Sequence, residues 1–259
     1  MRLLMLPAEL LLSIPKFLKN EKDVSSLSRS STRLHIILTP WLYRYNSRHN
    51  ESSSILWATE TGSEATARLS IQEGGDLGIR DDSGRSLLSR AAYYGHEEVV
   101  KALLETGRVD IESRDIYGRT ALFWAAANGH HTVVKLLIEA SADTRSRDIV
   151  GWTVLFWPAA YGHTSVVKLI LATETVDVDS KDAEGRTPLY MAAAKGHEAV
   201  VRLLVQQEEV DLASKDCQGR SLSYWPTVNG YKAVEKLLIE AQTSHGNIDT
   251  VASTSQTEL

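Results

Sequence analysis

Glycine recurs along this chain on a fixed beat. It falls at Gly84, Gly118, Gly151, Gly185 and Gly219, in steps of 34, 33, 34 and 34 residues, and a second series at Gly95, Gly129, Gly162, Gly196 and Gly230 keeps the same steps. Two markers sharing one period mean stacked copies of one unit, each contacting only its neighbours, and argue against a single closed globule. Asp115 to Ala140, DIYGRTALFWAAANGHHTVVKLLIEA, displays the unit as a turn, a short helix of small residues and a second, apolar helix.

Each part follows from its residues. Asp and Gly bracket a tight turn, as in Asp115-Ile-Tyr-Gly118 and Asp182-Ala-Glu-Gly185, where glycine takes a backbone conformation costly for other residues. Thr120, Thr153 and Thr187, with Ser86 and Ser221 elsewhere, stand where a helix N-cap hydroxyl belongs. Paired alanines (Ala91-Ala92, Ala125-Ala126, Ala192-Ala193) let neighbouring units approach, and Val133, Val134, Leu137 and Ile138 give the second helix its apolar stripe. Six units begin near Asn50, Asp81, Asp115, Asp148, Asp182 and Asp216. The first is loose, with Ala58, Gly62 and Leu69 in register; the last replaces an alanine with Thr227 and a histidine with Tyr231. The expected domains are residues 1–46 as a small helical module, 47–241 as the repeats and 242–259, rich in Ser and Thr, as a disordered tail.

These residues resemble the ankyrin repeat, and Thr187-Pro188-Leu189-Tyr190-Met191-Ala192-Ala193-Ala194-Lys195-Gly196-His197 is near its usual form, with Tyr190 in the histidine slot. The resemblance implies an all-α solenoid of helix-turn-helix units with short β-turn fingers, acting as a protein-binding adaptor. It also places the residue after the histidine slot on a concave side facing the fingers. There the six units carry Trp57, Arg90, Trp124, Trp157, Met191 and Trp225, with Tyr93, Tyr94 and Tyr161 able to widen the groove. Tryptophan and arginine dominate interface energetics. Six slots at about 8–10 Å each would hold an extended peptide of about 12–15 residues. The alternative is that these indoles pack between helices, with Pro158 and Pro226 as local kinks. Arg85, Arg119, Arg186 and Arg220, after the turn glycines, are expected to pair with the periodic Asp residues of neighbouring fingers.

The N-terminal residues form short amphipathic helices. Pro7 suits a first helical position, Glu9 the first turn, and Leu10, Leu11, Ile14, Phe17 and Leu18 share one face. Leu6-Pro7-Ala8-Glu9-Leu10, followed by Ile14, Phe17-Leu18, Asp23-Val24, Leu27, Ser28-Arg29 and Arg33-Leu34, resembles an F-box, the module that docks substrate receptors onto the small adaptor subunit of cullin-RING ubiquitin ligases. The resemblance implies adaptor contacts at Leu6, Pro7, Leu10, Leu11, Ile14 and Leu18. Pro15 departs from the pattern, since it removes a backbone donor inside the first helix. The alternative is a helical cap that hides the open apolar end of the stack, with the repeats serving as a scaffold unrelated to ubiquitin.

No catalytic chemistry is expected. No nucleophile motif, clustered phosphate-binding glycines or paired carboxylates appear, and no metal or cofactor is implied. His96, His130, His163 and His197 recur at the repeat period, so about 8–10 Å would separate them, too far for one ion; they are expected to anchor loops. A net charge of −5 with no long basic run points away from nucleic acid. One cysteine, Cys217, excludes an intramolecular disulfide framework, and no apolar run reaches membrane-spanning length. The expected location is cytoplasmic or nuclear.

Overall fold

A computed structural model describes residues 53–254, residue 174 apart, with side chains from Ser54 to Ser244. The six residues assigned above to adaptor binding lie outside the described residues. Contacts divide the chain into two units, residues 1–110 and 111–259.

In the first unit, α1 (Ser53–Thr61) packs on α2 (Glu64–Gln72) and α3 (Leu87–Tyr94), while α4 (Glu97–Glu105) packs on α2 and α3. In the second, the pairs are α5 (Ala121–Ala127) with α6 (His131–Glu139), α7 (Phe156–Tyr161) with α8 (Thr164–Leu171), α9 (Pro188–Ala194) with α10 (Glu198–Leu204), and α11 (Tyr224–Asn229) with α12 (Lys232–Thr254). First helices pack on first helices, α5 on α7 on α9 on α11, and second on second, α6 on α8 on α10 on α12. The described residues are all-α, with three isolated β-bridges at the finger bases.

Burial explains the two rows. Val133, Val134 and Leu137 of α6, Val166, Val167 and Ile170 of α8, and Val200, Val201 and Leu204 of α10 are at most 1% exposed. Each such side chain contributes about 1.5–3 kcal/mol. The alanine pairs are equally buried, and only a side chain that small lets the first helices lie against both neighbours.

Histidine and glycine lock one repeat to the one before. Nε2 of His96 bonds the Glu60 carbonyl at 2.9 Å, His163 that of Ala127 at 3.1 Å and His197 that of Ala160 at 2.9 Å. Each imidazole lies flat against a left-handed glycine. A Cβ on Gly162 (φ 75°) would come 2.6 Å from His197 Nδ1, so both conformation and space demand glycine there. The histidines are loop anchors, as their period suggests.

Two expected caps are absent. Ser86, Thr120 and Thr187 accept the backbone N–H three residues on, but α7 and α11 begin two residues late and have no side-chain cap. The cause is Pro158 and Pro226, which stand where α5 and α9 carry alanine. A proline inside a helix leaves the carbonyl four residues back without a partner, so the helix starts where proline falls in the first turn. Neither proline is a kink. Thr153 instead bonds Ser180 at 3.1 Å. At the other end α12 runs past Ala241 to Thr254, across the stretch expected to be a disordered tail, and Gln242 Nε2 donates to the Leu212 carbonyl at 3.0 Å.

Candidate binding face

Every finger is organised around its aspartate. Oδ1 of Asp115 accepts the N–H groups of Tyr117 and Arg119, each at 2.9 Å, and the same pair of bonds recurs at Asp81, Asp148, Asp182 and Asp216. The turn leaves Oδ2 pointing toward the first helices, where it collects side-chain donors. Asp81 takes Arg85 and Arg90, Asp115 takes Trp124 Nε1 at 2.9 Å, and Asp148 takes Arg119 Nε at 3.2 Å. Asp182 takes Trp152 Nε1 and Arg186, and Asp216 takes the Tyr190 hydroxyl at 2.8 Å and Arg220 at 2.6 Å. Burial of Asp216 raises its pKa, but the bonds from Arg220 and Tyr190 outweigh that and hold it at about 2. Asp182 is lowered in the same way: burial opposes, and Arg186 and Trp152 prevail.

This corrects the expectation for the arginines. Arg85, Arg186 and Arg220 pair within their own finger, and Arg119 reaches the next, at Asp148. Nor are the pairs exposed, because the side chains of Asp148, Asp182 and Asp216 are 0% accessible.

The guanidiniums then lie on aromatic rings. In the first unit Arg85 sits 4.9 Å from the Tyr93 ring, and Arg90 is bound to Asp81 and Glu60. In the second, Arg119 lies 5.0 Å from the Trp124 ring, 5.1 Å from Tyr117 and 5.7 Å from Trp157, and Arg220 lies 5.1 Å from Trp225. Such contacts are worth about 0.5–2 kcal/mol each and leave the outer ring faces available. Repeat 4 adds a ladder of rings: Trp152 meets Trp157 edge-on at 4.6 Å, and Trp157 stacks on Tyr161 at 5.1 Å. Trp157 Nε1 is buried and has no hydrogen-bond partner among the described residues.

The six column residues, Trp57, Arg90, Trp124, Trp157, Met191 and Trp225, are all half-buried, neither sealed between helices nor free in solvent. Beside them Tyr93 is half-buried, while Tyr94 and Tyr161 are 39% and 55% exposed. Where α9 and α11 meet the fingers, a pocket of about 320 Å³ opens, lined by Met191 and Trp225 together with Arg186, Tyr190, Lys195, Arg220 and their neighbours. Among the described residues no group of three His, Cys, Asp or Glu side chains could hold a metal ion, and no helix is long and apolar enough to cross a membrane.

The family model for ankyrin repeats matches residues 55–148, 109–182 and 155–250, over the same helix pairs and fingers. The chain belongs to the ankyrin-repeat family. No curated protein matches it. Ankyrin repeats are protein–protein interaction domains, and the fold assigns that coarse role to residues 55–250. What sequence reasoning missed on the ankyrin face is the second carboxylate oxygen. Asp was read as a turn former and as a partner of the arginines after the turn glycines, yet it also fixes Arg90, Trp124 and Tyr190. The available signal was a donor-bearing side chain nine residues after the turn Asp, Arg90 after Asp81 and Trp124 after Asp115, whereas Tyr190 reaches Asp216 of the next finger. Trp152, in an arginine slot, does the same for the next finger.

Proposed function

We propose that the ankyrin face formed by the fingers and first helices grips an extended segment of a target protein. The row of half-buried rings carries this reading. Rigid indoles already held by carboxylates and guanidiniums lose little conformational entropy on binding, the economy that makes such residues dominate interfaces. Trp124, Trp157, Met191 and Trp225 with Tyr161 are the contact residues in the second unit; Trp57, Arg90, Tyr93 and Tyr94 are those in the first. Tyr161→Ser is the clean test, because its ring is the most exposed of the ladder. The substitution should weaken target capture at least tenfold with an unchanged circular dichroism spectrum, and unchanged capture would refute the reading.

We further propose that residues 1–46 couple the captured target to a cullin-RING ubiquitin ligase as its substrate-recognition subunit. The support is the Leu6-Pro7-Ala8-Glu9-Leu10 sequence and the leucine spacing after it. Purified chain should then co-elute with the small adaptor subunit of such a ligase, and Leu10→Asp with Leu11→Asp should abolish co-elution. Absence of co-elution for the unaltered chain would leave a binding scaffold whose N-terminal helices serve as a cap.

A further inference from the structure

The pocket between α9 and α11 differs in charge from the rest of the face. Three of its lining residues are cations, Arg186, Lys195 and Arg220, and no carboxylate lines it. The acids that pair with the arginines sit behind them: the side chains of Asp182 and Asp216 are 0% accessible, whereas the side chains of Arg186 and Arg220 are 26% and 27% accessible. Glu184, also bound to Arg186, is an exposed fingertip residue outside the lining. Arg220 bonds Asp216 through Nε and lies over Trp225. Lys195, one residue beyond α9, is exposed and forms no ion pair among the described residues. Met191 and Trp225 give the lining its apolar part, and a charge held against them interacts more strongly than one in bulk water.

A cationic rim over an apolar floor selects an anion carried on a hydrocarbon stem. We infer that this pocket receives the carboxylate side chain of an Asp or Glu in the target peptide, an assignment that rests on the polypeptide-binding reading above. The rings of Trp157 and Tyr161, one repeat earlier, would hold an apolar residue of the same peptide. At about 10 Å per repeat and 3.3 Å per extended residue, the two anchors, one to two repeats apart, are separated by about three to six residues. The planar guanidinium of Arg220 supplies direction and Lys195 supplies charge, the division of labour that suits a carboxylate.

Random dodecapeptides displayed on phage and selected on the full chain test this directly. The recovered peptides should share an acidic residue about three to six positions from an apolar or aromatic one. With the strongest of them labelled by fluorescein, Glu→Gln in the peptide and Lys195→Glu in the protein should each weaken binding about tenfold. The two changes together should cost little more than either alone. Lys195 forms no ion pair among the described residues, so the substitution leaves the fold intact, which circular dichroism verifies. Selected peptides without an acidic residue, or an unchanged Kd on Lys195→Glu while Tyr161→Ser weakens the same peptide, would overturn the acidic pocket and leave the binding face standing. Recovery of no peptide at all would overturn both.

Discussion

Repeats 3 and 4 are neighbours of nearly the same sequence, yet they solve one problem in opposite ways. In repeat 3, Thr120 caps a seven-residue α5 and Trp124 gives its indole proton to Asp115 of its own finger. In repeat 4, Pro158 has replaced the alanine, α7 has six residues and no cap, and Asp148 is taken by Arg119 from the repeat before. Trp157 is left with a buried indole N–H and no acceptor, while Trp152 sends its own proton forward to Asp182. The finger aspartate of repeat 3 is bound by the tryptophan of its own repeat, whereas that of repeat 4 is bound from the repeat before and Trp152 reaches the repeat after. Repeat 4 carries a proline in place of alanine and a tryptophan in place of arginine, and its rings Trp152, Trp157 and Tyr161 are in contact.

The comparison can be broken in several ways. The largest effect is expected at the aspartates. Asp148→Ala strands the 17%-exposed guanidinium of Arg119 and should cost about 3 kcal/mol in urea unfolding, whereas Asp115→Ala loses a neutral indole donor and should cost about 2 kcal/mol. Equal costs would show that the turn bonds alone matter. Next come the indoles. Trp124→Phe leaves Asp115 Oδ2 without its donor and should cost about 1.5 kcal/mol, while Trp157→Phe deletes an N–H that has no partner and should cost under about 0.5 kcal/mol. A reversed order would contradict the assigned bonds. Pro158→Ala, which gives repeat 4 the alanine of repeat 3, should let Thr153 cap a longer α7 and raise stability by less than about 1 kcal/mol. A loss of stability would place the late helix start elsewhere.

The smallest effect is a dependence on pH at the junction of these two repeats. Burial lowers the pKa of His163 below the usual imidazole value, against the raising influence of its bond to the Ala127 carbonyl. A lowered histidine contributes its stability in full above about pH 6.5, and that contribution is lost as pH falls through the lowered value. Unfolding midpoints should therefore decline below about pH 6.5, and His163→Gln should flatten that decline. An unchanged slope in the variant would assign the dependence to another group.

Most of the fold was legible because it is periodic. Glycine spacing located every helix pair from Leu87 onward, and the histidine period separated loop anchors from metal ligands. The candidate face was read as a column from the period, and within each unit its residues are half-buried beside the fingers. What periodicity hid was the exchange of partners. Whether Asp148 binds its own tryptophan or the previous arginine depends on side-chain reach across about 10 Å between repeats, which no spacing in the chain records. The two lost caps were hidden for a related reason: Thr153 and Ser221 occupy cap positions, and the prolines that cancel them lie five residues further on.

The account stands on the claim that fingers and first helices, and not the outer row of second helices, are where a target is held. Hydrogen exchange of the full chain with and without a selected peptide measures this. Protection concentrated in residues 121–127, 156–161 and 188–194 is the predicted result. Protection confined to 131–139, 164–171 and 198–204 would contradict it.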